Sequence, residues 1–434
     1  MAPNLPSTAT LLGELLNLNP DTRKGQYDAA ELVLKYVHEC GLGIAEIFEY
    51  PVKNGEESEL FPFLRIESSF GSKTQERPSM TWLGHLDTVP RTRRQKEKDA
   101  LVLKKDSNEK IIGCGRGTSD MWGGNVALLE GLQGARDEGA NVDIITALPS
   151  QEEAGSAVLY HAIKSGIIPR SPIGATPEIL VGDGGKPSPM YCARTGRIGF
   201  DALFKSKESV GGDQDEASPH VGALDRYPDR IVYMAAWYHA CAVRALLDPK
   251  KRFELKEGYP GDDTNLFPKS THAFPMSLSG HTGSFSVVGR IQQDISVMYN
   301  NPETAPESVR AELHDFLVEA GIPEDCFALR LEDRSLPDGG KVPFTKPYMT
   351  RPDDPYVQEG KRIIDEIRGE DVSVVAASGV AEDGMIFHQL GTKMIGIAPR
   401  GAGAHGENEW VDINSISEVA AWLTKIAKYD VKAT

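Results

Sequence analysis

His85 and Asp87 stand two residues apart in GHLDTVP, at the end of an apolar run. Along a strand side chains alternate, so residues two apart face the same way, and Asp87 can accept the second ring N–H of an imidazole whose other nitrogen binds a metal. Asp120 sits in GCGRGTSDMWGG, Glu152 and Glu153 are neighbours in PSQEEAGS, Asp183 ends EILVGDGG, and His405 lies in APRGAGAHGENEWVDI. Imidazole nitrogens and carboxylate oxygens are the donors that zinc, manganese and cobalt accept. Each motif also has an ordinary reading. GHLD can be a satisfied turn, and an aspartate among glycines before a helix is a common N-cap. An acidic pair opening a helix suits its dipole. The chemical alternatives are a carboxylate at Asp120 bridging two cations roughly 3.5–4 Å apart, and one glutamate binding metal while its neighbour moves a proton between water and a leaving nitrogen.

These side chains need a frame. Residues 27–40 read as an amphipathic helix, and residues 123–138 as another with Val126, Leu129 and Leu132 on one face. Residues 80–87, 142–149 and 178–183 read as buried strands. Such alternation predicts an α/β fold, a mixed sheet sandwiched by helices, in which ligands collect at the carboxyl ends of strands. After about residue 196 the pattern changes: 198–205 alternates, 231–247 is a long apolar helix candidate, 284–299 a strand candidate and 304–320 a helix. Then α/β character returns, with a helix at 355–368, strands near 372–377 and 393–398, and a helix near 414–428. The expected organisation is a discontinuous main domain, residues 1–196 and 321–434, with a smaller α+β domain, residues 197–320, inserted into it.

Composition agrees with a globular chain: 434 residues, 40% hydrophobic and 25% charged, long enough for about two domains. A net charge of −16 repels phosphate backbones and argues against nucleic-acid binding. Five scattered cysteines, Cys40, Cys114, Cys192, Cys241 and Cys326, include no CxxC pair and suit a reducing compartment. The N-terminal stretch lacks a basic leader, and no run reaches the roughly 18 apolar residues of a membrane span. A soluble, cytoplasmic protein without membrane partners is expected.

In order, GHLDTVP, GRGTSDMxGG, QEEAGS, VGDGG and AHGENEWV resemble the zinc-exopeptidase-fold metallohydrolase superfamily of aminoacylase, carboxypeptidase G, carnosinase-like dipeptidases, acetylornithine deacetylase and succinyl-diaminopimelate desuccinylase. The likeness spans residues 80–185 and 375–430. It implies that Asp120 bridges two metal ions, that His85 and Asp183 complete one site and Glu153 and His405 the other, that Glu152 is the general base, and that Asp87 orients a ligand. One or two divalent ions per subunit (Zn2+, Mn2+ or Co2+) are implied, as is an inserted lid that makes a homodimer in many members. The implied reaction is hydrolysis of a C–N bond of a small anionic substrate by a metal-activated water.

Four departures bear on the substrate. Trp122 stands where the family has lysine, Asp215 where a lid histidine is expected, and Ser296 where an arginine is expected, while the substrate loop reads SGVAEDG from Ser378 and Gly379. His220 or His281 could replace the lid histidine. Arg290, or Arg197 near the hinge, could hold a substrate carboxylate through a guanidinium fork. The cluster RTRRQKEK at 91–98 could attract an anion, although a solvated loop is the better explanation. Two alternatives to an amidohydrolase or dipeptidase follow: a hydrolytic deaminase of an activated aromatic amine, on whose ring Trp122 could stack although core packing suits that residue better, and a non-catalytic metal-binding protein.

Overall fold

The computed structural model describes residues 7–54, 57–72, 77–153, 156–177, 188–205, 232–248, 253, 255, 259–260, 262–263, 266–267, 273–280, 290–332, 345–377 and 383–429. The chain separates into two compact units. One comprises 1–194, 335–342 and 348–434; the other comprises 195–334 and 343–347. The second unit runs to 334 rather than to the expected 320, because strand Phe327–Leu331 pairs with Gly196–Lys205.

In the first unit, the described residues form a nine-stranded mixed sheet. Its order is Ile44–Asn54, Glu57–Ser69, Asp143–Pro149, Ser79–Leu83, Ile173–Thr176, Lys393–Ile397, Met190–Arg194 and Tyr348–Met349, with Val374–Ala377 also pairing to Met190–Arg194. Ser79–Leu83 runs parallel to both its neighbours. Strands covered on both faces read as continuous apolar runs, and Trp82, Leu83, Ala147 and Leu148 are accordingly buried. Helix Ala157–Lys164 covers one part of the sheet, where Val158, Leu159 and Ala162 pack with Phe63, Leu83 and Ala147. The expected helix at 27–40 begins earlier, at Arg23, because Thr22 caps it by accepting the Gly25 N–H. The hairpin of Ile44–Asn54 and Glu57–Ser69 was absent from the sequence reading.

Helices Gly123–Asp137 and Ile413–Ile426 pack together within this unit. A Cβ at Gly131 would lie 2.8 Å from Leu423 Cβ, so the bare backbone there permits the close approach. A smaller sheet, ordered Gly401–Ala402, Trp410–Asp412, Ile111–Cys114 and Val102–Lys105, has direct consequences for the site. It pairs Trp410 with Cys114 and thereby brings the loop after 114 beside the loop before 410.

The second unit holds an antiparallel sheet ordered Ala273–Gly280, Arg290–Tyr299, Gly196–Lys205 and Phe327–Leu331, with helices Val232–Leu247 and Pro306–Glu319. The alternation read at 198–205 is real: Ile198, Phe200, Ala202 and Phe204 all enter the core. All five cysteines are free, and among the described residues no helix is long and apolar enough to cross a membrane.

Candidate metal centre

The strand Ser79–Leu83 ends two residues before His85, short of the expected 87. The chain leaves regular pairing there, although Leu86 N–H still reaches the Pro149 carbonyl at 2.7 Å. Asn125, on the helix that starts at Gly123, donates to the His85 carbonyl at 2.7 Å and fixes that backbone. A Cβ at Gly84 would collide with the Asn125 amide oxygen, so a side chain here would push Asn125 away from this bond.

His85 is 1% exposed. Its Nδ1 donates to the carbonyl of Asp87 at 2.9 Å, while the Asp87 carboxylate lies 3.6 Å away. The ring N–H therefore meets the Asp87 carbonyl more closely than the expected carboxylate, which stays within ion-pair distance. The Asp87 carboxylate instead accepts the backbone N–H groups of Glu152 and Glu153, at 3.2 Å each. Asp87 therefore orients a histidine and seats the acidic pair that follows strand Asp143–Pro149.

Asp120 lies in the turn Thr118–Trp122 ahead of helix Gly123–Asp137, with extended rather than helical backbone angles. Its two carboxylate oxygens are divided between two imidazoles. Oδ1 is 3.2 Å from His85 Nε2, and Oδ2 is 3.2 Å from His405 Nε2. His405, in left-handed backbone at φ 63°, also places Nε2 2.9 Å from Glu153 Oε2. One ligand atom from each of His85, Glu152 and Glu153 falls within 4.8 Å of the others, as does one from each of Asp120, Glu153 and His405.

The electrostatics describe a site built for positive charge. Hydrogen bonds to Asp120 and Glu153 raise the pKa of His405 to about 10 despite partial burial. Burial would lower that of His85, but Asp120 and Asp87 outweigh it and raise it well above the usual value. Burial would raise Asp120, yet its bonds to His405 and His85 hold its carboxyl far below the ordinary range. Burial raises Glu153, with the His405 bond opposing it. Glu153 Oε1 is buried and has no hydrogen-bond partner. An orphaned carboxylate oxygen beside two imidazoles and a carboxylate shared between them matches the donor set of divalent cations, so the residues fit the metal centre.

Of the other sequence candidates, Asp183, His220, His281, Ser378 and Gly379 lie outside the described residues, as does Asp215. Trp122 is 0% exposed and presents no ring face to a solute, which removes it from the substrate-binding candidates; packing inside the first unit accounts for it. Arg197, in the second unit, donates from Nε to Ser296 Oγ at 2.9 Å. Arg290 begins the strand Arg290–Tyr299. The cluster at 91–98 forms a short helix, Arg93–Lys96, capped by Thr92 and Gln95. Its arginines Arg93 and Arg94 are solvated, with side chains 94% and 78% exposed.

Three residues near the centre escaped the sequence reading. Gln95 Nε2 donates to the carbonyls of Gly406 and Glu407 at 3.1 and 3.3 Å, buttressing the His405 loop. The Thr92-x-x-Gln95 capping pattern is a signal that could have drawn attention to it. Arg116 and Glu409 form an ion pair of 2.9 Å with side chains 3% and 0% exposed. Burial pushes the Glu409 carboxyl up to about 7, against backbone N–H bonds that lower it. Both residues stand inside the glycine-rich motifs already quoted, and their opposite charges there were the available signal.

The chain resembles known proteins along nearly its whole length. Among solved structures, the dipeptidase Dug1p of Saccharomyces cerevisiae is similar at a TM-score of 0.71 with 14% identity, covering 97% of this chain and 96% of that one. Human carnosine dipeptidase 1 gives 0.67 and 15%, covering 97% of each chain. An amidase of the hydantoinase/carbamoylase family from Burkholderia vietnamiensis gives 0.61 and 13%, covering 99% and 98%. At such identities the likeness shows the fold. No curated protein sequence matches. Residues 82–429, which include every metal-site candidate, match one family description. The chain belongs to peptidase family M20/M25/M40.

Proposed function

We propose that this metal-dependent hydrolase cleaves the amide C–N bond of a small anionic substrate, a dipeptide or N-acylated amino acid, with Glu152 as general base. The observation that carries the reading is the division of the Asp120 carboxylate between His85 and His405, with Glu153 against His405 and Glu152 beside His85. In this reading His85, Asp120, Glu153 and His405 hold the metal, with Asp183 completing the set. Bound divalent cations supply Lewis acidity and bring the pKa of water from about 15.7 toward about 7.

The chain's own residues do the rest. Glu152, buried at 7% exposure, takes a proton from the attacking water. The water oxygen bonds to the acyl carbon, the C–N bond breaks, and Glu152 returns the proton to the departing nitrogen. One amide and one water become one carboxylic acid and one amine, with no covalent enzyme intermediate. The similar dipeptidases and amidase support the substrate class. Burial of Trp122 removes the stacking surface that would have favoured an aromatic amine.

The test is to incubate the protein with Zn2+, Mn2+ or Co2+ and a panel of dipeptides, N-acyl and N-carbamoyl amino acids, and aryl amines. Release of amino acid with stoichiometric acid is expected. Ammonia from aryl amines with no acid product would overturn the proposal, as would inertness toward every amide.

A further inference from the structure

Asp120 and His405 are distant in sequence, and a buried ion pair outside the donor set joins their loops. The bond pattern is reciprocal. Glu409 belongs to the His405 loop, and its Oε1 accepts the backbone N–H groups of Ser119 and Asp120 at 3.0 and 3.1 Å. Arg116 belongs to the Asp120 loop; its Nη2 donates to the His405 carbonyl at 3.0 Å, while Nη1 donates to Glu409 Oε2 at 2.9 Å. The Gly115 N–H adds a bond to the Glu409 carbonyl at 3.0 Å. Each charged residue thus grips the backbone of the ligand carried by the other's loop.

Stability is a weak reason for such a pair, since removing two charges from water costs about what their attraction returns. Geometry is a better one. His85 is enclosed and held by Asn125 and Asp87. The His405 side chain is 55% exposed, so its position depends on the bonds to its loop.

We propose that Arg116 and Glu409 are positioning residues for the metal centre, setting the separation at which the Asp120 carboxylate serves both imidazoles and thereby the affinity of the cation on the His405 side. The proposal rests on the metal-centre reading above. Because His85 is held independently, weakening the pair acts unequally on the two cations.

The experiment titrates metal-free protein with Co2+, followed by calorimetry and the visible absorption of the bound ion. It compares wild type, Glu409→Gln, Arg116→Lys, and a double variant, Arg116→Met with Glu409→Met. His405→Ala identifies which binding event belongs to the His405 side. That event is expected to weaken about 10–100-fold in all three pair variants, the usual effect of losing a residue that orients a ligand, while the other event stays at wild-type affinity. The double variant leaves no stranded charge and is expected to keep the fold by circular dichroism.

Folded variants with two wild-type events, or with both events weakened equally, overturn the positioning role. So does loss of the fold in all three, which would make the pair a requirement of folding. A wild-type protein that takes up fewer than two cations fails earlier, and sinks the two-cation reading on which the proposal stands.

Discussion

Asp87 Oδ1 accepts the backbone N–H of Glu152 at 3.2 Å, so the residue that steadies the His85 ring also seats the proposed base. Its second oxygen does the same for Glu153. Asp87→Asn keeps the shape but offers one oxygen for two N–H donors and turns an amide donor toward the other. Turnover is expected to fall about 10–100-fold, the cost typical of a lost orienting contact. Steady-state kcat alongside metal content by elemental analysis checks this; an unchanged kcat would remove Asp87 from the positioning of the pair.

Glu152→Ala removes the proposed proton carrier without touching His85, Asp120, Glu153 or His405. Metal content is expected to persist while kcat falls roughly 10²–10⁴-fold. A variant that turns over within a factor of a few of wild type would show that another group moves the proton.

Chelation should abolish turnover, and restoring Zn2+, Mn2+ or Co2+ should return it. His85→Ala should lower metal affinity, because the imidazole that meets Asp120 Oδ1 is removed. Elemental analysis showing unchanged metal in that variant would contradict the ligand assignment.

His388 supplies a pH dependence away from the metal centre. It stacks on Tyr348 at 4.6 Å, and burial pushes its pKa down to about 4 against an opposing backbone bond at Met349. In the unfolded chain a histidine titrates near about 6.5. Between those values the unfolded state holds the extra proton, so stability rises with pH across the window and is lost as pH falls through it. The full effect is about 3 kcal/mol, at about 1.36 kcal/mol per unit. Urea unfolding of wild type and His388→Phe, which keeps the stack, should show the wild type losing that much more between pH 7 and pH 4. Parallel curves would refute it.

The parts of this fold legible in sequence are those in which one local pattern decides the outcome. The apolar run at 142–149 became strand Asp143–Pro149, and the alternation at 198–205 became the inward face of Gly196–Lys205. That His85, Asp120, Glu153 and His405 converge was legible because metal donors are few in type and stood in ordered motifs. The closer contact from the Asp87 carbonyl was not legible because the period of two stops at Leu83, before the residues to which it was applied. Arg116 and Glu409 were passed over because their meaning is a pairing across nearly 300 residues, |i−j| = 293, which no local pattern contains. For Trp122 the sequence left both stacking and core packing open, with core packing favoured, and burial in three dimensions agrees with the latter.

The two histidines differ sharply in contact with solvent: the His85 side chain is 1% exposed and the His405 side chain 55%. If the centre holds two cations as proposed, His405 is the edge open to solvent and the His85 position lies behind it. Exchange would then be sequential, with one cation labile and the other trapped, and a brief exposure to a scavenger would leave a half-loaded protein rather than a bare one.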